Sequence, residues 1–509
     1  MEKEIIQWIL GIKKSISETT LLSIDVEKLS AFLKEHKLTN RFFLQMNKIN
    51  EFSKYVIKFQ NEWLKSKEKY ERQLGAFRHI NNKLNKEKPL ILIKGFSAFA
   101  ITGELELLKS SSDLDVFYFD ENKLEIRLKE MNYVEFGLPS EHEYLNLVKK
   151  EGNFFIIFDV HKYYPVYNYP EGLEKKDLEL NRNSRDWKQY FSSCEAEIKV
   201  KKKIFYEDIL KYSKKGITAE TKEFFFPTVE MTIILLCCSM FKDFLYEPYK
   251  FPNIKLVDLA TIRGLSMHKS YNHEKLINLI EEFEAFDAVS FINILLKEQY
   301  GEILISLRKG GNNIFQKVQN GLIGGWIKRN DINQLLTENM YSRLAELGQN
   351  EIWSSNQQEE IIYDVLDNMG GNRIKRTINW SNNGVFLPFQ FSVFWENDYL
   401  AVKIKMTEIL QPQFFVMIHL DNKNSCTCVV KAGEDIRLYG KNFSKEVVYN
   451  SSQLIVIISI KLEKLINNVA TSTVIPCFLC MSSNYDEDKS HTTVPILIRK
   501  INEVRGCSK

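Results

Sequence analysis

The sequence predicts a multidomain α+β protein: a helical N-terminal region, an α/β core with a mixed sheet, a helical domain and a C-terminal antiparallel β-sandwich. Three observations carry that expectation. The chain has 509 residues, more than one core accommodates, so that roughly two to four domains are expected. The hydrophobic period switches along the chain, from helical to strand-like, back to helical, and finally to alternation. Only 22 Gly and 11 Pro punctuate it, so helices are expected to be long.

Up to about residue 85 the apolar residues follow a helical stripe: Ala31, Phe32 and Leu33, then Phe42, Phe43, Leu44 and Met46, then Phe52, Tyr55, Val56, Phe59, Trp63 and Leu64. The texture changes at Pro89-Leu90-Ile91-Leu92-Ile93, a short continuous apolar run of the kind a buried strand shows. A helix is expected over Phe96–Leu108, a strand over Leu114–Phe119, a helix over Leu124–Met131 and a strand over Asn153–Tyr164. The helical period returns in Val229–Leu245, Ile254–Leu265 and two segments within Asn272–Tyr300. After Gly370-Gly371 short alternating runs take over, including Phe389–Trp395, Leu400–Ile404, Phe415–Leu420 and Leu454–Ile460, with turn residues between them. The expected boundaries are 1–85, 86–215, 216–370 and 373–509.

Composition narrows the class. Hydrophobic residues make up 44% and charged residues 27%, which excludes a disordered, collagenous or disulfide-scaffold chain. A net charge of +3 gives no electrostatic case for nucleic acid as the main partner. The 8 cysteines form no dense framework, and the most apolar run, Met231–Met240, is too short to span a bilayer. The N-terminus carries early acids and no small-residue cleavage site, so a cytoplasmic, reduced protein with no membrane partner is expected.

The chemistry concentrates in three short segments. Asp113-Leu114-Asp115 opens a strand, and residues at i and i+2 point to one face. Two carboxylates so placed repel unless a cation lies between them, and an oxygen-rich pair suits Mg²⁺. A solvated turn with the acids facing water is the competing reading. Upstream, Lys94-Gly95-Phe96-Ser97 leads from a strand into a helix. There Gly95 lets backbone approach a phosphate, Ser97 can donate to it and Lys94 adds charge, or the segment is a plain strand-to-helix turn with a surface lysine. Downstream, Asp159 sits in the apolar run Phe154-Phe155-Ile156-Ile157-Phe158-Asp159-Val160-His161, where an acid is costly to bury without a partner. Alternation puts Asp159 and His161 on one face. If the two strands are neighbours, three carboxylates converge.

These segments, with Lys109-Ser110-Ser111-Ser112 before the first acid, resemble the polymerase-β-like nucleotidyltransferases. The resemblance is to the bacterial branch with Lys-Gly, Asp-x-Asp and Asp-x-His motifs, and covers about 45–300. It implies metal-dependent transfer of a nucleoside monophosphate from a nucleoside triphosphate, ATP by default, to a small-molecule or peptide acceptor. It further implies Asp113, Asp115 and Asp159 as catalytic residues and ligands of Mg²⁺ or Mn²⁺; Lys94, Gly95, Ser97 and Lys109 at the nucleotide; and His161 and His142 toward the acceptor. Lys109 stands where the branch usually has Arg, and Leu236-Cys237-Cys238-Ser239-Met240 lacks an expected His. His142 equally fits a helix cap or a solvent-facing residue.

Other features read as structural. Cys477 and Cys480 have metal-ligand spacing but lack a second pair, so zinc is not expected there. His36, His79, His268 and His273 sit among charged residues and read as surface. Residues about 375–505 resemble the β-sandwich of family-9-type carbohydrate-binding modules, with Trp380 and Trp395 either stacking on sugars or filling the core. The alternative to an enzyme is a degenerate nucleotidyltransferase-like binding protein whose sandwich docks a glycan, peptide or protein. A glycosyltransferase of the Asp-x-Asp type fits less well, because it needs neither the Lys-Gly turn nor a later carboxylate strand.

Overall fold

The structure, a computed structural model, describes residues 3–17, 19–20, 25–47, 53–84, 88–108, 113–136, 142–167, 195–246 and 254–307. C-terminal to these it describes 361–365, 378–380, 385–387, 389–396, 399–406, 413–419, 425–431, 437–439, 442–450, 453–461, 474–483 and 488–499.

The N-terminal stripe folds into α1 (Lys3–Ile9), α2 (Val26–Glu35), α3 (Thr39–Asn47) and the 29-residue α4 (Ser53–Asn81). Edge-to-face aromatic contacts join them, Trp8 on Phe42 at 5.9 Å and Phe42 on Phe59 at 4.9 Å. The carbonyls that α1 leaves unpaired at its end are taken by Arg41, whose Nε and Nη2 donate to Ile9 and Leu10 at 2.9 and 3.3 Å. His36, read as surface from its charged neighbours, is buried: its Nδ1 accepts the Leu256 N–H at 3.3 Å. That tie spans 220 positions, so nothing local announces it.

A mixed seven-stranded sheet follows. Its strands are β1 (Ile91–Leu92), β2 (Leu114–Phe117), β3 (Val134–Glu135), β4 (Glu143–Glu151), β5 (Phe154–His161), β8 (Ser213–Lys215) and β9 (Phe225–Pro227), in the order β3-β4-β5-β2-β1-β9-β8. β2 and β5 are parallel, as are β1 and β9, and the other pairs are antiparallel. β6 (Tyr164–Tyr167) leaves this sheet to pair with β7 (Glu195–Ile204).

The helix expected over Phe96–Leu108 is α5 (Ser97–Thr102) alone, because Gly103 takes φ +76° and caps it in the left-handed region. Leu105–Leu107 then form a separate 3-10 turn. Between β2 and β3 runs α6 (Glu121–Glu130), capped by Asp120, whose carboxylate accepts the Lys123 N–H at 2.9 Å. α7 (Tyr206–Lys211) is anchored by Tyr206, whose hydroxyl donates to the Pro89 carbonyl at 2.8 Å.

The second helical segment is α8 (Val229–Tyr246), α9 (Leu256–Met267), α10 (His273–Glu282) and α11 (Phe286–Tyr300). Buried Glu230 accepts the Asn272 N–H at 2.7 Å, and Asn272 caps α10 through the Lys275 N–H at 3.0 Å. Phe244 stacks on Phe291 at 4.4 Å, closing α8 onto α11. Cys237 and Cys238 are buried free thiols in α8. No described helix is long and apolar enough to cross a membrane.

The C-terminal strands are β10 (Ile361–Val365), β11 (Ile378–Trp380), β12 (Val385–Leu387), β13 (Phe389–Glu396), β14 (Tyr399–Met406) and β15 (Gln413–His419). They continue as β16 (Ser425–Lys431), β17 (Arg437–Tyr439), β18 (Phe443–Asn450), β19 (Gln453–Lys461), β20 (Val474–Ser483) and β21 (Asp488–Arg499). They make a five-stranded antiparallel sheet, β10-β13-β14-β19-β18, and a pair, β11-β12. A second seven-stranded sheet has the order β17-β16-β15-β20-β21-β7-β6 and is antiparallel throughout. β7 lies in it, since Lys199 pairs with Asp488 and Ile204 with Tyr164. Trp380 and Trp395 lie on β11 and β13; their side chains are outside the described residues, as is Lys109.

Candidate functional site

The site grows from the register of the central sheet. Parallel pairing of β2 with β5 sets Asp115 against Asp159 and Phe117 against His161. On the other side of β5, antiparallel β4 sets Glu143 against His161 and Asn146 against Asp159, with a register shift between Glu143 and Leu145. Strand alternation then collects Asp115, Asp159, His161 and Phe117 on one face. Leu114, Val116, Phe158 and Val160 form the opposite face and are fully buried. This apolar backing fixes the strands and leaves the acids to the other side. Asp113 precedes β2 and shares a hydrogen bond with Asp159.

Lys94 enters from β1 through a one-turn 3-10 helix, Lys94–Phe96, with its own φ at +55°. A left-handed lysine costs on the order of 1 kcal/mol or more, which the surrounding contacts must offset. Its Nζ donates to Asp115 Oδ1 at 2.7 Å and lies 5.1 Å from the centre of the Tyr164 ring. The Ile93 N–H donates to the Asp115 carbonyl at 3.0 Å, so backbone and side chain both tie β1 to the acid. Tyr164 is held in turn by its hydroxyl, which donates to the Leu235 carbonyl at 2.8 Å. His161 is fully buried, stacks on Phe117 at 5.4 Å, and hydrogen-bonds Asp115 Oδ1 through Nε2 at 3.0 Å.

The charges sort themselves around this geometry. Burial alone pushes the Asp115 carboxyl up, but the Lys94 ammonium and the His161 hydrogen bond outweigh it and hold Asp115 well below the usual carboxylate range. Burial alone pushes Lys94 down, and Asp115 reverses that, so Lys94 stays charged. At Asp159 burial, reinforced by the charges of Asp115, Asp113 and Glu143, pushes the carboxyl up to about 9. His161 is lowered by burial, so at neutral pH it is a neutral imidazole.

The three expected acids therefore come together, joined by Lys94 and His161. Gly95 is buried within the turn. Ser97 is buried at the start of α5 and its hydroxyl donates to the Leu92 carbonyl at 3.2 Å, so its one proton serves the fold in this arrangement. His142 neither caps a helix nor faces solvent: it is buried, with its ring centre 5.4 Å from that of His161. Glu143, Asn146 and Tyr164 border the acids and carried no signal in the motifs. The one available clue was the alternation of Leu145 and Leu147 in Glu143–Glu151, which marks β4 as a half-buried strand.

Asp113, Asp115 and Asp159 offer the hard oxygen donors that Mg²⁺ or Mn²⁺ takes. The fit rests on that donor chemistry and on the register that sets Asp115 against Asp159. Two close carboxyl groups that coexist by holding a proton are a place where a divalent cation can replace it.

No protein-family model matches the chain, and no curated protein matches it. Among solved structures, similar ones include a family 9 carbohydrate-binding module from Caldicellulosiruptor kristjanssonii in complex with cellotriose, at 9% identity and a TM-score of 0.16. That match covers 21% of this chain and 65% of the module, just under two thirds. The same organism's family 9 module in complex with glucose matches at 8% identity and a TM-score of 0.17, over 23% of this chain and 72% of the module. A Bacteroides uniformis structure described as a carbohydrate-binding protein matches at 6% identity and a TM-score of 0.18, over 27% of this chain and 77% of its own. At these scores the neighbours assign no property to this chain.

Proposed function

We propose that the chain is a divalent-metal-dependent nucleotidyltransferase, moving a nucleoside monophosphate from a nucleoside triphosphate, ATP by default, to a small-molecule or peptide acceptor. The observation that carries the reading is the parallel register of Asp115 with Asp159, with Asp113 hydrogen-bonded to Asp159. It puts three carboxylates from three chain positions on one face, as the order and spacing of the motifs imply.

Asp113, Asp115 and Asp159 would hold Mg²⁺ or Mn²⁺, and the bound ion would screen the triphosphate and stabilise charge on its oxygens. Lys94 keeps Asp115 ionised before loading and supplies a cation beside the phosphates. The acceptor oxygen or nitrogen attacks the α-phosphorus, the bond from that phosphorus to the bridging oxygen breaks, and pyrophosphate leaves. Asp159, once ionised, accepts the acceptor's proton; the fully buried His161 fixes the Asp115 carboxylate that faces it. Gly95 lets the turn approach the triphosphate, Lys109 adds a phosphate contact, and His142 borders the acceptor side. The C-terminal antiparallel sheets support an appended β-sandwich.

The test is Mg²⁺-dependent pyrophosphate release by full-length protein from each of the four common nucleoside triphosphates, with a fractionated pool of small-molecule acceptors. Release that depends on Mg²⁺ and falls at least about 100-fold in Asp113→Asn and in Asp115→Asn supports the reading. Release that persists in either variant removes the acids from the chemistry.

A further inference from the structure

His142, Glu143 and His161 each offer one ligand atom, and these atoms lie within 4.8 Å of one another. We propose that they form a second metal site, selective for a Zn²⁺-class transition ion and distinct from the three-aspartate site. The donor set is two imidazoles and one carboxylate, which borderline-soft ions take and Mg²⁺ does not favour.

Four observations argue for it. His142 and His161 are buried and Glu143 is nearly so, which is unusual for a chance cluster of surface residues. The backbone builds the cluster: Glu143 and His161 are cross-strand partners on β4 and β5, and the register shift after Glu143 sets where the start of β4 meets His161. Lys94 Nζ and His161 Nε2 both reach the same carboxylate oxygen, Asp115 Oδ1, at 2.7 and 3.0 Å; that oxygen accepts from each, so Nε2 carries the proton and the other nitrogen, Nδ1, the lone pair. That Nδ1 is buried and has no hydrogen-bond partner among the described residues. A buried lone pair without a donor costs free energy, and a metal ion satisfies it. The carboxylate–imidazole bond is the arrangement that orients metal-binding histidines and raises their basicity. The site leaves coordination positions open, because three protein ligands do not fill a tetrahedral shell.

The site does not depend on the nucleotidyltransferase reading, and its test contains no nucleotide. Full-length protein is titrated with Co²⁺ as the sole transition metal, in excess Mg²⁺, and followed by its visible d–d absorption. The expected result is one tight equivalent with the intense bands of a four- or five-coordinate ion, displaced by Zn²⁺. His142→Gln and Glu143→Gln each weaken binding by at least about 10-fold, whereas Asp113→Asn changes it by less than about 3-fold. Wild-type protein without such bands overturns the proposal. So does Co²⁺ affinity unchanged in both ligand variants, or lost with Asp113. X-ray absorption of the Zn²⁺-loaded wild type provides a readout that needs no variant to fold: scattering from two imidazoles is expected, and a shell of oxygen alone refutes the site.

Discussion

Asp115 and Asp159 are partners in parallel register on adjacent strands, yet their surroundings shift the two carboxyls in opposite directions, Asp115 down and Asp159 up. The difference lies in what reaches each one. Lys94 and His161 both converge on Asp115 Oδ1, at 2.7 and 3.0 Å. Asp159 meets Asp113, Asp115 and Glu143, all acids. The pair is thus biased to carry one negative charge, and a cation entering between them would exchange for a proton there.

The first consequence is a pH dependence of stability without metal. Asp159 is raised to about 9 in the folded protein, against about 3.9 in an unfolded chain. Between these values the folded state binds the extra proton, so stability falls as pH rises, by at most about 1.4 kcal/mol per unit. Asp115, lowered in the fold, changes stability only in acid, and His161 acts below its ordinary range. From pH 7 to 8.5 Asp159 supplies most of the slope, with a smaller contribution of the same sign from the buried Cys237 and Cys238 thiols, which burial raises. Asp159→Asn removes most of the slope and raises the melting temperature at pH 8.5; parallel slopes for both proteins in thermal denaturation contradict this.

The Lys94–Asp115 pair gives the second. Lys94 is largely buried, and removing it leaves a buried carboxylate with His161 as its remaining partner. Lys94→Met is expected to cost about 3 kcal/mol in chemical denaturation. Adding Asp115→Asn in the same chain recovers part of that loss, because the uncompensated charge is gone. Equal, additive losses mean the two groups are not coupled.

Two glycines give a third, with opposite signs. Gly75 lies inside α4, and a Cβ there meets nothing within 4 Å. Gly75→Ala stabilises by about 1 kcal/mol through helix propensity. Gly216, at the end of β8, has the Thr221 carbonyl oxygen 2.7 Å and its Oγ1 2.4 Å from where a Cβ would stand. Gly216→Ala destabilises by about 2 kcal/mol, since backbone must move. Melting curves of the two variants should shift in opposite directions.

The convergence of acids was legible because its signals are local: Asp-x-Asp at a strand start, and one acid in an apolar strand. What Lys94 does was only half legible, since its charge reads from the sequence but its partner is 21 residues away. β4 is not legible in the sequence because Lys149-Lys150 interrupts its alternation, and with it go Glu143 and Asn146 as neighbours of the acids. His142 looked solvent-facing because Glu141 and Glu143 flank it; its burial comes from packing beside His161, which no local pattern encodes. The end of α5 after Thr102 is readable at Gly103, a helix-ending residue in an otherwise helical run.

Asp159 is proposed to belong to a metal–triphosphate site. The most direct measurement is the thermal shift given by Mg²⁺ plus a non-hydrolysable ATP analogue to wild type and to Asp159→Ala, at one pH and one ligand concentration. Without ligand, the variant is expected to melt at the wild-type temperature or above it, since burial of the acid and its repulsion toward Asp115 and Asp113 are relieved. With both ligands, wild type gains about 2.7 kcal/mol at a hundredfold excess over the dissociation constant, and the variant gains little. Equal ligand-induced shifts in the two proteins would contradict the account and leave Asp159 a structural acid.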